Sequence, residues 1–123
     1  MANQIDVKVK TQYIEDQSAP SMDRFVFSYT ITIINNGDSA AKLLTRHWII
    51  TDGHGNVQEV KGAGVVGEQP HLKPGESYEY TSGTVMESPV GSMHGTYQMI
   101  SDDSEEFDAI IPSFTLSIPH ALH

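Results

Sequence analysis

The sequence predicts an all-β fold, namely a sandwich of two antiparallel sheets with seven to eight strands, in a single domain over residues 1–123. Short segments alternate apolar and polar residues, which is typical of half-buried strands. Gly, Pro, Asn and Asp separate these segments at the spacing expected of turns. No apolar repeat of 3.6 residues is long enough for a helix. A chain of 123 residues can bury roughly two-thirds of its unfolded surface in one core.

Alternation sets the bounds of the strands. The predicted strands are residues 5–13, 24–35, 42–51, 57–61, 76–82, 93–101, 107–111 and 113–118, with a short extended segment at residues 71–72. Lysines alternate with the apolar residues of the first strand, which is the pattern of a sheet edge. Proline lacks the N–H that a sheet needs, so we expect Pro112 to separate the last two strands.

The third predicted strand carries a cation, an imidazole and the only tryptophan side by side, at Arg46, His47 and Trp48. Alternation places Arg46 and Trp48 on one face and His47 on the other. We expect Trp48 to be buried against the apolar face of residues 25–33, in which case Arg46 needs a carboxylate or carbonyl partner. The alternative is an outward recognition patch, since arginine and tryptophan commonly anchor contacts between proteins.

Charge and composition exclude several classes of function. Sixteen acidic and seven basic side chains give a net charge of -9, and the basic residues do not cluster, so nucleic-acid binding is not expected. The absence of cysteine excludes disulfides, thiol nucleophiles and thiolate metal sites. The N-terminal residues lack a signal sequence, and no apolar run approaches the ~20 residues of a membrane span. These features predict a cytoplasmic protein that does not bind membranes.

Three glycines in the spacing G-x-G-x-x-G, at Gly62, Gly64 and Gly67, suggest a dinucleotide fingerprint. That motif requires a helix directly after its last glycine, and two prolines and a glycine in the residues that follow forbid one. Two interpretations remain. The glycine amides form an anion-binding nest assisted by Lys61, His71 or Lys73, with Arg46 as a further candidate ligand, or the glycines shape a strand crossover or bulge.

Metal and catalytic motifs are not found. The six histidines include no H-x-x-x-H, H-E-x-x-H or H-x-H pair, and His120 and His123 lie near the C-terminus. The acidic run at residues 102–108 lacks the glycine and spacing of an EF-hand loop, and a solvated turn explains it. No nucleophile elbow is present. We therefore expect a protein that is not an enzyme and has neither a cofactor nor a metal site.

The run of residues 62–83, GAGVVGEQPHLKPGESYEYTSG, resembles the signature of the ApaG family. The resemblance implies an immunoglobulin/fibronectin-III-like sandwich of unassigned biochemical role. It also implies an association with cobalt and magnesium tolerance, and the family's glycine motif has been discussed as a pyrophosphate-binding loop.

Three hypotheses about function follow from the residues and the resemblance. The first is a protein-interaction module that binds a protein partner, or a second copy as a homodimer, through a sheet edge. The second is a small-anion or nucleotide-pyrophosphate binder that uses the loop of residues 61–67. The third is a divalent-metal binder that uses histidines and carboxylates.

Overall fold

The computed structural model describes residues 3–119. They form eight strands, β1 to β8, and two single-turn 3₁₀ segments in the loop after β1. The strands are β1 Ile5–Tyr13, β2 Phe25–Asn35, β3 Ala41–Asp52, β4 Val57–Ala63, β5 His71–Leu72, β6 Ser77–Met86, β7 Val90–Ser101 and β8 Glu106–Ser117, and the 3₁₀ segments are Glu15–Gln17 and Pro20–Met22. The described residues contain no helix with the length and apolarity needed to cross a membrane.

The strands pair into two antiparallel sheets that pack face to face, as the sequence predicts. One sheet has the order β1-β2-β6, and the other has the order β4-β3-β7-β8, with the short β5 paired to the start of β3. Every second residue of β2 from Phe25 to Ile33 is buried, which is the alternation expected of a strand with one face on the core. The predicted edge position of β1 is confirmed.

Trp48 lies at the centre of the core, which confirms the buried interpretation. Its side chain is 3% exposed, and its ring centroid is 5.4 Å from that of Tyr29 on the opposite sheet. Phe114 meets the same indole edge-on at 6.0 Å. A β-bulge between Leu43 and Thr45 adds one residue to β3 and shifts the alternation there by one position, so that Leu43 and Trp48 both face the core.

The prediction that Pro112 ends a strand is wrong. Strand β8 runs through Pro112 without a break. Between the pairs Gly95–Ile111 and Met93–Phe114 the register shifts, so that Pro112 and its neighbour face one residue of β7. A bulge on an edge strand is one of the few places in a sheet that tolerate the missing N–H of proline.

The two lateral sides of the sandwich differ. On one side, which we call the closed side, the edge strands β1 and β8 lie against each other. On the other side the edge strands are β4 and β6, which have little or no contact with each other. We call this second side, between β4 and β6, the open side.

Candidate functional site

The open side contains a row of three depressions that follow the gap between β4 and β6. Their volumes are about 190, 260 and 420 Å³, taken from the end near Val66 to the end near Val57. The first two share Arg46, Trp48 and Tyr29 as lining residues, and the last two share Ile50. The core aromatics therefore form the floor of a groove that the two strand edges leave uncovered.

Arg46 lies on the floor of this groove. It shares the inner face of β3 with Trp48, and its Nη1 donates hydrogen bonds of 2.9 Å to the carbonyl oxygens of Ala63 and of Gly64. The expectation that a buried Trp48 would give Arg46 a carbonyl partner is confirmed. Within residues 3–119, no carboxylate oxygen approaches the guanidinium to within 4.0 Å. Arg46 is thus a half-buried cation held by neutral partners.

Gly62 makes this placement of Arg46 possible. The two residues are directly opposite each other across β3 and β4. A Cβ at position 62 would lie 2.7 Å from Nη2 of Arg46 and 2.8 Å from its Cζ, which is closer than such atoms approach. The guanidinium therefore packs flat against the backbone of β4, and only glycine leaves the room for it.

Gly64 directs the chain from β4 into a tight turn. Its φ of 61° lies in the left-handed region, and a Cβ there would also overlap the carbonyl oxygen of Glu68. Val65 and Glu68 exchange backbone hydrogen bonds of 2.8 and 2.9 Å around the turn. Val66 and Gly67, at the tip, have positive φ angles of 48° and 79°, as a type I′ turn requires. The structural interpretation of the glycine spacing thus accounts for each of its members.

The loop presents carbonyl oxygens to Arg46, and carbonyl oxygens bind cations rather than anions. Two of its carbonyl oxygens point at Arg46, while the amide of Gly64 donates to Leu44 at 2.8 Å. The amides of Val65 and Glu68 are also used within the turn. An anion would therefore have to be held by side chains rather than by these amides.

The five residues predicted to bind a ligand do not face one point. Arg46 and Gly62 lie on the inner face, whereas Lys61 is paired with His47 on the outer face of the same sheet. Gly67 is at the exposed tip of the turn. An outer depression of about 430 Å³ adjoins Lys61, and its lining residues are Thr45, Arg46, His47, Lys61, Gly62 and Gln98.

Two tyrosines meet beside the groove: Tyr80 on β6, which lines it, and Tyr97 on β7, which is fully buried behind it. Their hydroxyl groups are 2.5 Å apart. Burial raises the pKa of Tyr80 to about 12, and burial together with Tyr80 raises the pKa of Tyr97 further. Both hydroxyls therefore stay protonated at neutral pH and satisfy each other. The sequence gives no signal for this pair, because the two residues belong to different sheets.

The histidines and carboxylates of residues 3–119 form pairs rather than larger groups. His47 Nε2 is 2.8 Å from Glu59 Oε2, and His71 Nε2 is 2.8 Å from Asp102 Oδ1. No three such side chains are close enough to hold a metal ion in this part of the chain. His120 and His123, the C-terminal candidates, lie outside the described residues.

Sequence reasoning missed the exposed valines beside the groove. Val57, Val66 and Val85 are 64%, 63% and 49% exposed, and each lines one of the three depressions. In the sequence they read as ordinary strand or loop residues. Val57 and Val85 are exposed because they alternate with the inner residues Gln58 and Thr84 and so lie on the outer faces of their strands, and Val66 is exposed at the tip of a turn. That all three border one groove depends on the packing of the two sheets, which alternation within one strand cannot reveal.

Fold and site define a class: a fibronectin-III-like sandwich with one unclosed side whose floor carries a cation. The chain belongs to the ApaG family, since the family model of the ApaG domain matches residues 15–101. It is 60% identical over 120 residues to Protein ApaG of Ectopseudomonas mendocina, with 98% of this chain and 95% of that protein covered. Protein ApaG of Nitrosospira multiformis is 58% identical over 120 residues, with 98% and 94% covered.

A solved structure has the same fold. The crystal structure of a protein described as ApaA from Bordetella pertussis superposes with a TM-score of 0.95 at 45% sequence identity, and the match covers 98% of both chains. The resemblance seen in residues 62–83 is therefore confirmed over nearly the whole chain.

Proposed function

We propose that this protein is a non-enzymatic, cytoplasmic interaction module that accepts an extended segment of a partner protein along its open side. The observation that supports this is the pair of strand edges there, β4 and β6, which end their respective sheets next to each other. An edge strand carries a row of backbone N–H and C=O groups without strand partners. An extended peptide binds such an edge by adding a strand to the sheet.

Exposed apolar surface supports the same location. Among residues 3–119, three of the five exposed large hydrophobic residues, Val57, Val66 and Val85, border the open side. Val57 and Val85 line the same depression at one end of the groove, and Val66 lines the depression at the other end. The valines would cover the apolar side chains of a bound segment while the strand edges bind its backbone.

A role without catalysis agrees with the chemistry of the groove. The hydroxyl of Tyr80, which lines the groove, is bonded to that of the buried Tyr97, and the raised pKa values keep both neutral. Among residues 3–119, Arg46 is the one lysine or arginine that lines any of the three depressions, and it lines two of them. The cobalt and magnesium tolerance implied by the family would then act through the bound partner rather than through a resident metal ion.

The test compares charges introduced at two exposed surfaces. The double variant Val57→Lys/Val85→Lys places charges along the open side, and Ile110→Lys places one on β8, where Ile110 is 63% exposed. Each protein is used to retain partners from cytosol, and a retained partner is purified. Hydrogen exchange of the β4 and β6 amides is then measured with and without it.

We expect the purified partner to slow exchange in β4 and β6 of the wild type and of Ile110→Lys, and to lose most of its affinity for the double variant. Binding that survives the double variant and fails with Ile110→Lys would place the interface on β8 instead. A protein that stays monomeric at all concentrations and retains no partner would contradict the proposal altogether.

A second candidate is a small-anion or nucleotide-pyrophosphate site on the outer face. The depression beside Lys61 and His47 supports it, because the Lys61 ammonium and the His47 imidazole lie opposite each other there across β3 and β4. Pyrophosphate titration, followed by backbone amide shifts, should move residues 45–47 and 61–62, and Lys61→Gln should abolish the shifts while Lys73→Gln leaves them. Unmoved signals at millimolar pyrophosphate would exclude this candidate.

A further inference from the structure

We infer that the segment bound on the open side carries an aspartate or glutamate within its extended stretch, and that this carboxylate binds Arg46. The inference rests on the proposed function and specifies the chemistry of the partner. It follows from the hydrogen bonding of Arg46, from its position along the groove and from the charges around it.

Arg46 lines the groove and has unused hydrogen-bonding capacity. Both of its bonds to Ala63 and Gly64 come from Nη1, and a guanidinium has five N–H donors. Within residues 3–119, Nε and Nη2 donate to no protein acceptor. These two nitrogens form the pair that binds a carboxylate in bidentate fashion. Arginine is also the side chain that suits such pairing at interfaces.

The position of Arg46 favours an internal acidic residue over a chain terminus. Arg46 lines both the depression next to Val66 and the central one, while the third depression continues past it to Val57. Strand β4 spans roughly 20 Å at about 3.3 Å per residue, so the groove fits a segment of about seven to ten residues. A segment of that length passes over Arg46, and its side chain rather than its C-terminus reaches the guanidinium.

The other charges of the protein restrict the sequence expected of the bound segment. The chain carries a net charge of -9, which disfavours a strongly acidic partner at long range. Glu87 and Asp52 line the depression at the Val57 end of the groove. We therefore expect one acidic residue opposite Arg46, apolar residues two positions to either side of it, and a neutral or basic residue toward the Glu87 end.

The experiment is a selection from a library of randomised ten-residue peptides on the intact protein and on three variants. Arg46→Gln removes the cation but keeps a donor for the loop carbonyls, and Arg46→Lys keeps the charge without the bidentate geometry. Lys42→Gln, on the outer face of the same strand, is the matched control for loss of a positive charge. Circular dichroism checks that each variant folds, and fluorescence of Trp48, the only tryptophan, measures binding at the groove floor.

On the wild type and on Lys42→Gln we expect enrichment of a central Asp or Glu, with about a tenfold loss of affinity when that residue is changed to its amide. On Arg46→Gln the acidic and amide peptides should bind equally, and Arg46→Lys should retain only part of the preference. Selected peptides without an acidic preference would overturn this inference and leave the strand-accepting groove intact.

Two other outcomes would count against the inference. The absence of any selected peptide would contradict both the acidic segment and the groove itself. A concentration-dependent dimer in sedimentation velocity that Arg46→Gln dissociates would show that the occupant is a second copy of this chain.

Discussion

The closed and open sides of the sandwich are built from the same kind of strand but carry different side chains at the edges. On the closed side, the inner positions of β1 and β8 are apolar, as at Val7, Val9 and Phe107, and these residues pack onto the core. On the open side, the inner positions of β4 and β6 mix apolar residues that pack onto the core, as at Val60 and Met86, with small ones, as at Gly62 and Ser82.

The difference shows that edge side chains decide whether a sandwich closes. Apolar edge residues gain about 25 cal/mol for each Å² removed from water, which draws β1 and β8 together. Between β4 and β6 the small residues Gly62 and Ser82 interrupt the apolar surface, and closing the gap would desolvate Arg46 without a carboxylate partner. The open side thus keeps a solvent-accessible groove, with Arg46 on its floor, over a complete core.

The largest expected change in the free energy of unfolding tests whether the core is packed as tightly under the open side as under the closed side. Phe27 contacts Tyr13 of β1 on the closed side, and Trp48 is the floor of the open side. Both are almost fully buried, so we expect Phe27→Ala and Trp48→Ala each to lower the free energy of unfolding by about 3–5 kcal/mol. Urea unfolding followed by far-UV circular dichroism measures both. If Trp48→Ala alone lowered the free energy of unfolding by less than about 1 kcal/mol, tight packing of the core under the open side would be contradicted.

The raised pKa of Tyr80, which lines the open side, predicts that the folded protein loses stability at alkaline pH. Tyr80 has a pKa of about 12 in the folded protein and 10 in the unfolded chain, so the folded state holds its proton more tightly. The resulting stability is fully present below pH 10 and is lost as the pH rises through 12. Two pKa units correspond to about 3 kcal/mol. Urea midpoints between pH 9 and pH 12 should fall, and Tyr80→Phe/Tyr97→Phe should flatten that fall; an equally steep fall in the double variant would sink this account.

The contact between Arg46 and Gly62 keeps the open side in its present shape. Gly62→Ala places a Cβ into the guanidinium and should lower the free energy of unfolding by about 1–3 kcal/mol. In the Arg46→Ala background the same change should cost little, because the clash is gone. A double-mutant cycle by urea unfolding measures this coupling. Additive losses would mean that Gly62 is required for some other reason.

The smallest effect concerns the turn at the end of the open side. Val66 is a β-branched residue with a positive φ, a conformation that costs a side chain of this kind about 1–2 kcal/mol. Asparagine tolerates it better, so Val66→Asn should raise the free energy of unfolding by about 1 kcal/mol. Val57→Asn, equally exposed but within β4, serves as the control and should give no gain. Equal effects at both positions would remove the evidence for local strain.

Much of the fold could be predicted because strand patterns are local. Alternation located β1, β2 and β3 to within a residue or two, and the same alternation placed Trp48 in the core. The error at Pro112 has a physical reason. Whether proline ends a strand depends on the register of the neighbouring strand, and β7 supplies a bulge at that point.

The site was predicted less well for a related reason. The glycine spacing at Gly62 and Gly64 indicated a special backbone, but not whether its amides or its carbonyls would face a ligand. That depends on Arg46, which is sixteen residues away from Gly62 and meets it only across β3 and β4. The sequence shows the residue types and their spacing. The pairing of β3 with β4 sets the direction in which the backbone amides and carbonyls point.

By itself, the sequence determined a β-sandwich with a tryptophan in its core, because apolar periodicity and turn chemistry act over a few residues at a time. Only the tertiary structure decided which two strand edges stay uncovered, that carbonyl oxygens hold Arg46 and that Tyr80 and Tyr97 share a hydrogen bond. These features join residues from strands that are distant in the chain. Which side chains fill the space between the strands, and which charges lie close together, is fixed only when the two sheets pack.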